Sequence, residues 1–306
     1  MSIPQEKGGY PTVKNEYDCC NLCSRKCSVN RTAGEIGYCG MTSVPYVCRA
    51  ALHYWEEPII SGNRGSGTIF FAGCSLGCIY CQNSKISRGR GGREASPDAL
   101  SDMMLSLKDE GAHNINLVTP THFTPSIIQA LRIAKGRGLD IPVVYNTGSY
   151  DTTENLKSLE GLIDIYLPDL KYYRSATAKR LSFAEDYVTS ARAAIGEMVR
   201  QTGAPVISDE GIMLRGTVVR VLLLPGHLAE AKLSVKYLYT TYGDGIYISL
   251  MSQYTPRNNC PPPLDRTVTR AEYGELVEYA SGLGITNAFI QDMSSIGESY
   301  IPDFEK

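Results

Sequence analysis

The stretch Thr68-Ile69-Phe70-Phe71-Ala72-Gly73-Cys74-Ser75-Leu76-Gly77-Cys78-Ile79-Tyr80-Cys81-Gln82-Asn83 joins a short apolar run to a glycine-lined loop with three thiols at C-x3-C-x2-C spacing. Thr68 to Phe71 is β-branched and aromatic, and glycine follows it, so it reads as a strand. The thiols therefore lie just past a strand's carboxyl end, where ligands gather in parallel α/β folds. Three thiolates so close together can share one iron–sulfur cluster. They are one fewer than a saturated cubane takes, which leaves an iron open to a reacting ligand. A zinc site would usually take a fourth Cys or His nearby, and none follows Cys81 in the next thirty residues.

Downstream, the chain alternates β-branched runs with helical patterns, the grammar of βα units and a parallel sheet. Ser96-Pro97 reads as N-cap and first helical residue, and Leu100, Met103, Met104 and Leu107 share one helix face until Gly111. Asn116 to Val118 is the next strand. Thr124-Pro125 then opens a helix carrying Ile127, Ile128, Leu131 and Ala134, which Gly138 closes. Further strands are expected at 142–145, 163–167, 218–224 and 246–250, with helical patterns near 153–159, 176–202 and 228–240. A Pro- and Asn-rich loop over 255–268 precedes a last helix near 270–282. Six apolar strands separated by helices suit an open doubly wound sheet or an incomplete barrel, and periodicity alone does not choose between them.

With 306 residues, of which 43% are hydrophobic and 20% charged, the chain can hide roughly three quarters of its unfolded surface. Disorder, collagen and a disulfide-stapled miniprotein are excluded. Thirty Lys and Arg against thirty-two Asp and Glu leave a net charge of −2, spread without a stripe of one sign, so nucleic acid is not an expected partner. The start Met1-Ser2-Ile3-Pro4-Gln5-Glu6-Lys7 lacks an export signal's apolar run, and no stretch approaches the ~18 apolar residues of a membrane span. A soluble, cytoplasmic protein is expected, without membrane association. Thiols stay reduced there, so ten cysteines, nine of them before residue 82, point to metal rather than disulfides.

The triplet resembles the C-x3-C-x-aromatic-C motif of the radical S-adenosylmethionine (SAM) superfamily, with Cys74, Cys78, Tyr80 and Cys81 at its required positions. Gly73 and Gln82-Asn83 look like the branch that activates glycyl radical enzymes. Over most of its length the chain is similar to the uncharacterised homologues of pyruvate formate-lyase activating enzyme. The resemblance implies a partial (β/α)6 TIM-type barrel, with a [4Fe-4S] cluster on Cys74, Cys78 and Cys81. SAM would chelate the fourth iron and be cleaved reductively to methionine and a 5′-deoxyadenosyl radical that abstracts hydrogen from a substrate. The cofactor carries that chemistry, and the protein orients and shields it.

The same resemblance implies a set of SAM-binding residues. Tyr80 would lie near the adenine, or else pack against the strand end, and Asn83 belongs to the same loop. Where the activating enzymes carry Gly-Gly-Glu for the amino group, this chain has Thr119-Pro120-Thr121-His122, so Thr119, Thr121 and His122 are the candidate substitutes. A plain strand end with His122 filling a gap is the competing reading. Tyr145-Asn146-Thr147-Gly148 resembles the activators' Thr-Asn-Gly in altered order, with Asn146 as the polar contact. Pro168-Asp169-Leu170-Lys171 resembles their Asp-Leu-Lys motif at the SAM carboxylate, against a helix-cap role for Asp169. Arg220, followed by Leu224-Pro225-Gly226, matches their Arg and Pro-Gly; it either enters the barrel mouth or faces a helix.

Upstream, Cys20-x2-Cys23-x3-Cys27-x11-Cys39 supplies four thiols, enough to close a tetrahedral site or hold a second cluster. The spacing does not separate zinc from iron–sulfur. Cys19 and Cys48 are spare candidates, and Cys260 reads as a loop thiol. Three segments follow: a cysteine-rich metal-binding segment over 1–60, the barrel over 61–250, and a loop-and-helix extension over 251–306. The leading function is hydrogen abstraction by a radical SAM oxidoreductase, with a protein glycine as one target. A small metabolite or another peptide is the second, and a non-catalytic iron–sulfur protein for electron transfer or cluster delivery is the third. A flavodoxin or ferredoxin would supply electrons, and a glycyl radical enzyme is the implied protein partner.

Overall fold

A computed structural model describes residues 16–88, 91–257, 260–291 and 304. The N-terminal heptapeptide, Gly89, Arg90, Asn258 and Asn259 lie outside the described residues.

Ten strands form one sheet: β1 (Tyr46–His53), β2 (Ser66–Phe71), β3 (Arg93–Glu94), β4 (Ile115–Val118), β5 (Val143–Thr147), β6 (Ile165–Pro168), β7 (Val206–Ile207), β8 (Met213–Leu222), β9 (Tyr247–Met251) and β10 (Ala288–Ile290). Its order is β10-β9-β8-β6-β5-β4-β2-β1-β3, with β7 paired to β8. From β2 to β10 every main neighbour pair is parallel and each strand lies beside the next main strand in the chain. A doubly wound sheet reverses its order part-way; this one does not, so it is a partial TIM-type barrel left open at β10 and β3. Each of the six expected parallel strands is present, to within three residues at the ends except that β8 starts five residues earlier than expected. A seventh, β10, and the antiparallel β1, which covers β2 over Val47 to His53, escaped the sequence reading.

Helices α1 (Pro58–Ser61), α2 (Ser84–Ser87), α3 (Pro97–Asp109), α4 (Thr124–Gly136), α5 (Thr153–Lys157), α6 (Ser175–Ser182), α7 (Tyr187–Thr202), α8 (Leu228–Tyr242) and α9 (Arg270–Gly282) fill the crossovers. Ser96 caps α3 by accepting from the Ala99 amide, with Pro97 behind it as expected. Thr269 and Glu272 close a capping box on α9. The single helix expected over 176–202 is two, because Phe183 takes a left-handed conformation (φ 52°) that ends α6 and turns the chain before α7. Among the described residues no helix is long and apolar enough to cross a membrane.

The two-residue period of the strands sorts side chains between the two faces. Val143, Tyr145 and Tyr166 pack with the helix-facing core. Val144, Ile165, Leu167 and Val218 pack together with Ile60 and Met213 as a separate inner layer. Asn146 shares the face of Val144, and Arg220 that of Val218, so both point inward just above that apolar layer. Leu167→Ala in this layer is expected to cost about 2–5 kcal/mol in urea denaturation. Ile290→Ala on the half-exposed edge strand should cost about 0.5 kcal/mol or less.

Candidate active site

The loop after β2 is held by close contacts at two glycines, and at Gly73 the contact admits no side chain. Gly73 has φ 82°, and a Cβ there would sit 2.4 Å from Met41 Cγ and 2.8 Å from the Cys39 carbonyl oxygen. At Gly77 a Cβ would lie 2.4 Å from the Tyr38 hydroxyl. The Gly73 amide donates to Ile86 O (2.9 Å), and the Ile79 amide to Leu181 O at the end of α6 (2.9 Å). Donors also reach the sulfurs: the Leu76 amide lies 3.4 Å from Cys74 Sγ, and Ser182 Oγ 2.9 Å from Cys78 Sγ. Ser182 in turn meets Tyr172 Oη at 2.5 Å, which meets Tyr80 Oη at 2.8 Å, so a chain of hydroxyls runs from Tyr80 to the Cys78 sulfur.

Burial pushes the Cys74 thiol up to about 12, and the neighbouring Cys78 and Cys81 sulfurs push the same way. Cys81 is likewise raised, by burial and by Cys78. Lys171 opposes both shifts as the nearby cation. Three thiolates here repel one another, and one ammonium does not balance them. The donor set thus fits a cationic iron–sulfur core bound through three sulfurs. Among the described residues no group of three or more His, Cys, Asp or Glu side chains closes around a position suited to a single metal ion.

A cavity of about 240 Å³ opens beside the triplet. Strand register explains what converges on it: Val118 pairs with Asn146, Thr147 with Pro168, and an isolated bridge joins Asp169 to Arg220. The strand ends are level, and Cys74, Cys78, Cys81, Tyr80, Asn83, Thr119, Asn146, Asp169 and Arg220 all line the cavity. Thr121 and His122 do not. After Thr119, held at φ 58°, a 3₁₀ turn over Thr121–Phe123 carries the chain behind β2. Thr121 Oγ1 contacts Thr147 Oγ1 (3.3 Å), and His122 Nε2 is 2.7 Å from Ala72 O. Burial, reinforced by Arg31, lowers the His122 pKa to about 3, so the ring is neutral and donates to that carbonyl. The gap-filling reading of His122 therefore describes its position.

The cavity charges come in two groups. Arg220 donates from Nε to Glu57 Oε1 (2.8 Å) and from Nη2 to Glu57 Oε2 (2.6 Å), and also pairs with Glu56. Asn116 Nδ2 donates to the other Glu56 oxygen (2.9 Å). Lys171 Nζ lies 2.5 Å from Asp169 Oδ2. Burial alone would lower the Lys171 pKa, but Asp169 and the Cys78 sulfur outweigh it and hold the ammonium well above the usual lysine value. Glu56 and Glu57 were missed as site residues, and Lys171 was named only as part of the Asp-Leu-Lys motif. An arginine inside the apolar run Val218-Val219-Arg220-Val221 needs an anion, and the acidic pair in Trp55-Glu56-Glu57-Pro58 was the signal that could have supplied it.

The radical SAM superfamily model matches residues 68–220, half of the chain, and spans the triplet and every polar strand end just described. The chain belongs to the radical SAM superfamily. An uncharacterized protein of Methanocaldococcus jannaschii is 27% identical over 277 residues, covering 88% of this chain and 76% of that protein. The radical SAM methyltransferase from Sphaerobacter thermophilus shares the fold, with a TM-score of 0.51 and 14% identity over 75% of this chain and 69% of its own. A domain of pyruvate-formate lyase-activating enzyme from Bacteroides vulgatus is matched over 55% of this chain and 91% of that domain, at 16% identity and a TM-score of 0.41. The superfamily's radical SAM fold implies a [4Fe-4S] cluster and SAM.

The buried Arg220 cluster generates a stability prediction. Burial would raise the Glu57 carboxyl, but Arg220 outweighs it and holds the pKa below the ordinary value of 4.5. The folded pKa is depressed, so this stabilisation is present above the ordinary carboxylate pKa and is lost as pH falls through the folded value. Glu57→Gln is expected to cost about 1.5–3 kcal/mol at pH 7, because Arg220 keeps Glu56 as its anion. Its urea midpoint should also depend less on pH than wild type across the acid limb.

Proposed function

We propose that this radical SAM protein is an enzyme that holds a [4Fe-4S] cluster on Cys74, Cys78 and Cys81 and cleaves SAM reductively for hydrogen abstraction. The observation that carries the reading is the three-thiol loop opening directly onto the cavity where the polar strand ends converge. When bound, the cluster and SAM supply an electron and a 5′-deoxyadenosyl radical. The chain's own residues bind, orient and shield. Asn146 and Thr119 offer hydrogen-bonding groups, and the Asp169–Lys171 pair offers one charge of each sign to an amino-acid moiety. Tyr80, buried against Tyr172 and Tyr254, fixes the loop that carries Cys78 and Cys81 and borders the cavity beside Asn83. Arg220 is already claimed by Glu56 and Glu57, so its part is to set the charge of the cavity floor.

A chamber of about 240 Å³ favours catalysis over an electron-carrier role, which needs no enclosed space. Among substrates, a protein glycine is the reading favoured by the loop and Asp-Leu-Lys resemblances, with flavodoxin or ferredoxin as electron donor and a glycyl radical enzyme as partner. The working division keeps 1–60 as a metal-binding segment, 61–250 as the barrel and 251–306 as an extension. The first of these holds a second metal, zinc or an iron–sulfur cluster, on Cys20, Cys23, Cys27 and Cys39.

Reconstituted anaerobically and reduced with dithionite in the presence of SAM, the protein is expected to release 5′-deoxyadenosine and methionine, and Cys74→Ala to release none. An intact cluster with no cleavage would overturn the enzymatic reading. Asp169→Asn should weaken SAM binding roughly 10- to 100-fold, the effect of losing a hydrogen bond to a charged group. Equilibrium dialysis with labelled SAM measures it.

A further inference from the structure

Residues 16–45 contain no helix or strand, and eight of the thirty are buried, Arg31 and three of the cysteines among them. Its own apolar core amounts to Tyr17, Cys20, Leu22 and the flanking Val29. So small a core does not ordinarily hold an irregular thirty-residue segment without a staple. Four thiols lie within it, near one another but closed around no single-ion position as they stand. Cys23 lies within electrostatic reach of Cys20, Cys27 and Cys39, and Cys39 within reach of Cys20 and Cys27. All four are free thiols rather than disulfides. The backbone crowds them: a Cβ on Gly37 would come within 3.1 Å of Cys27 Sγ, and the Tyr38 amide points at that sulfur from 3.4 Å.

An independent observation concerns Arg31. Its side chain is 1% exposed. Nε donates to Met41 O (3.1 Å), Nη1 to His122 O (2.5 Å) and Nη2 to Thr42 O (2.5 Å), all neutral carbonyls. No carboxylate among the described residues forms an ion pair with it, although a buried guanidinium without an anion is costly. The Tyr17 and Phe123 ring centroids lie 4.8 and 5.6 Å from the guanidinium, and sulfur is its other neighbour: Nη1 lies 3.7 Å from Cys20 Sγ, with Cys39 within electrostatic reach. The anion that Arg31 lacks is supplied if these sulfurs are ionised, and four clustered thiolates need a metal to hold them together.

We propose that Cys20, Cys23, Cys27 and Cys39 bind one thiophilic metal centre as thiolates, with the buried Arg31 guanidinium as its counter-ion. Four thiolates leave a net negative charge on either Zn²⁺ or a [4Fe-4S] core, and Arg31 offsets part of it. The centre fastens the segment against the radical-cluster loop. Arg25, two residues past Cys23, donates to Ser75 O (2.9 Å), Ser182 O (3.2 Å) and Phe183 O (2.5 Å), and its guanidinium lies 3.8 Å from the Tyr38 ring centroid. Leu22 O accepts from the Thr152 amide (3.4 Å), and Ser24 N donates to Tyr150 O (3.1 Å). Cys39 O and Met41 fill the space that a side chain at position 73 would need. The site therefore backs the loop that bears Cys74 without entering the cavity.

The test is made on the full chain purified anaerobically from medium containing both metals, with Cys74, Cys78 and Cys81 all changed to Ala. That variant lacks the radical-cluster ligands, so its outcome is independent of SAM cleavage. It is expected to retain about one zinc ion per chain, or about four irons with acid-labile sulfide, by elemental analysis. The element found separates zinc from cluster. Adding Cys20→Ser and Cys27→Ser should remove that metal. A folded triple variant with neither metal, or disulfides among these four cysteines in acid-quenched protein, would overturn the proposal. Arg31→Met should speed metal loss to a chelator about tenfold, and an unchanged rate would remove Arg31 as the counter-ion.

Discussion

Three thiols spaced within eight residues at the end of one strand place an electrostatic constraint on everything around them. Buried together, they resist ionisation, with Cys74 pushed to about 12, so the loop is suited to its charge state only with a cationic core among the sulfurs. The surrounding structure serves that requirement. Gly73 and Gly77 let neighbouring segments press onto the loop, Ser182 and the Leu76 amide donate to sulfur, and Lys171 contributes a positive charge from the next-but-two parallel strand. The open barrel brings these groups together because consecutive strands lie side by side and end at one level.

The parallel strands were legible because each is an apolar run bounded by turn residues, α3 because its Ser96-Pro97 start is a local feature, and α4 because Pro125 and Gly138 bracket its apolar face. What was not legible depended on distance in sequence. β1 reads as a mixed, half-buried segment, and it becomes a strand through pairing with β2. The break between α6 and α7 depends on Phe183 adopting a conformation uncommon for an aromatic residue. At the site, residues named from local motifs reached the cavity wherever the strand simply ends, as at Asn146 and Asp169. The exception was the segment after β4, where the turn at Thr119 carries Thr121 and His122 behind the sheet. Glu56 and Glu57 were hidden for a related reason: they lie more than 160 residues from the arginine they hold.

Two buried cations show how the same physical rule takes different forms in this molecule. Arg220, in the barrel, is flanked by two carboxylates, so its requirement for an anion is met and exceeded. Arg31, in the irregular N-terminal segment, meets carbonyls, the Cys20 sulfur and the Tyr17 and Phe123 rings, and pairs with no carboxylate among the described residues. A buried guanidinium is expected to be paired wherever it sits, which makes the sulfurs beside Arg31 the natural place for its compensating charge.

The balance at Arg220 also bears on what the cavity accepts. Two carboxylates against one guanidinium leave a negative charge on the floor, while Asp169 and Lys171 cancel one another. A ligand that combines a zwitterionic amino-acid end with a positive sulfonium matches that distribution, because Asp169–Lys171 offers both signs to the zwitterion and the floor offers an anion to the cation. Neutralising both Glu56 and Glu57 would invert the field at Arg220, leaving the guanidinium free to attract a carboxylate into the wrong end of the chamber. The acidic pair contributed by the segment between β1 and α1 thus does two things at once: it allows an arginine to be buried in the strand, and it leaves the ammonium of Lys171 as the cation of the cavity that is not outnumbered by carboxylates.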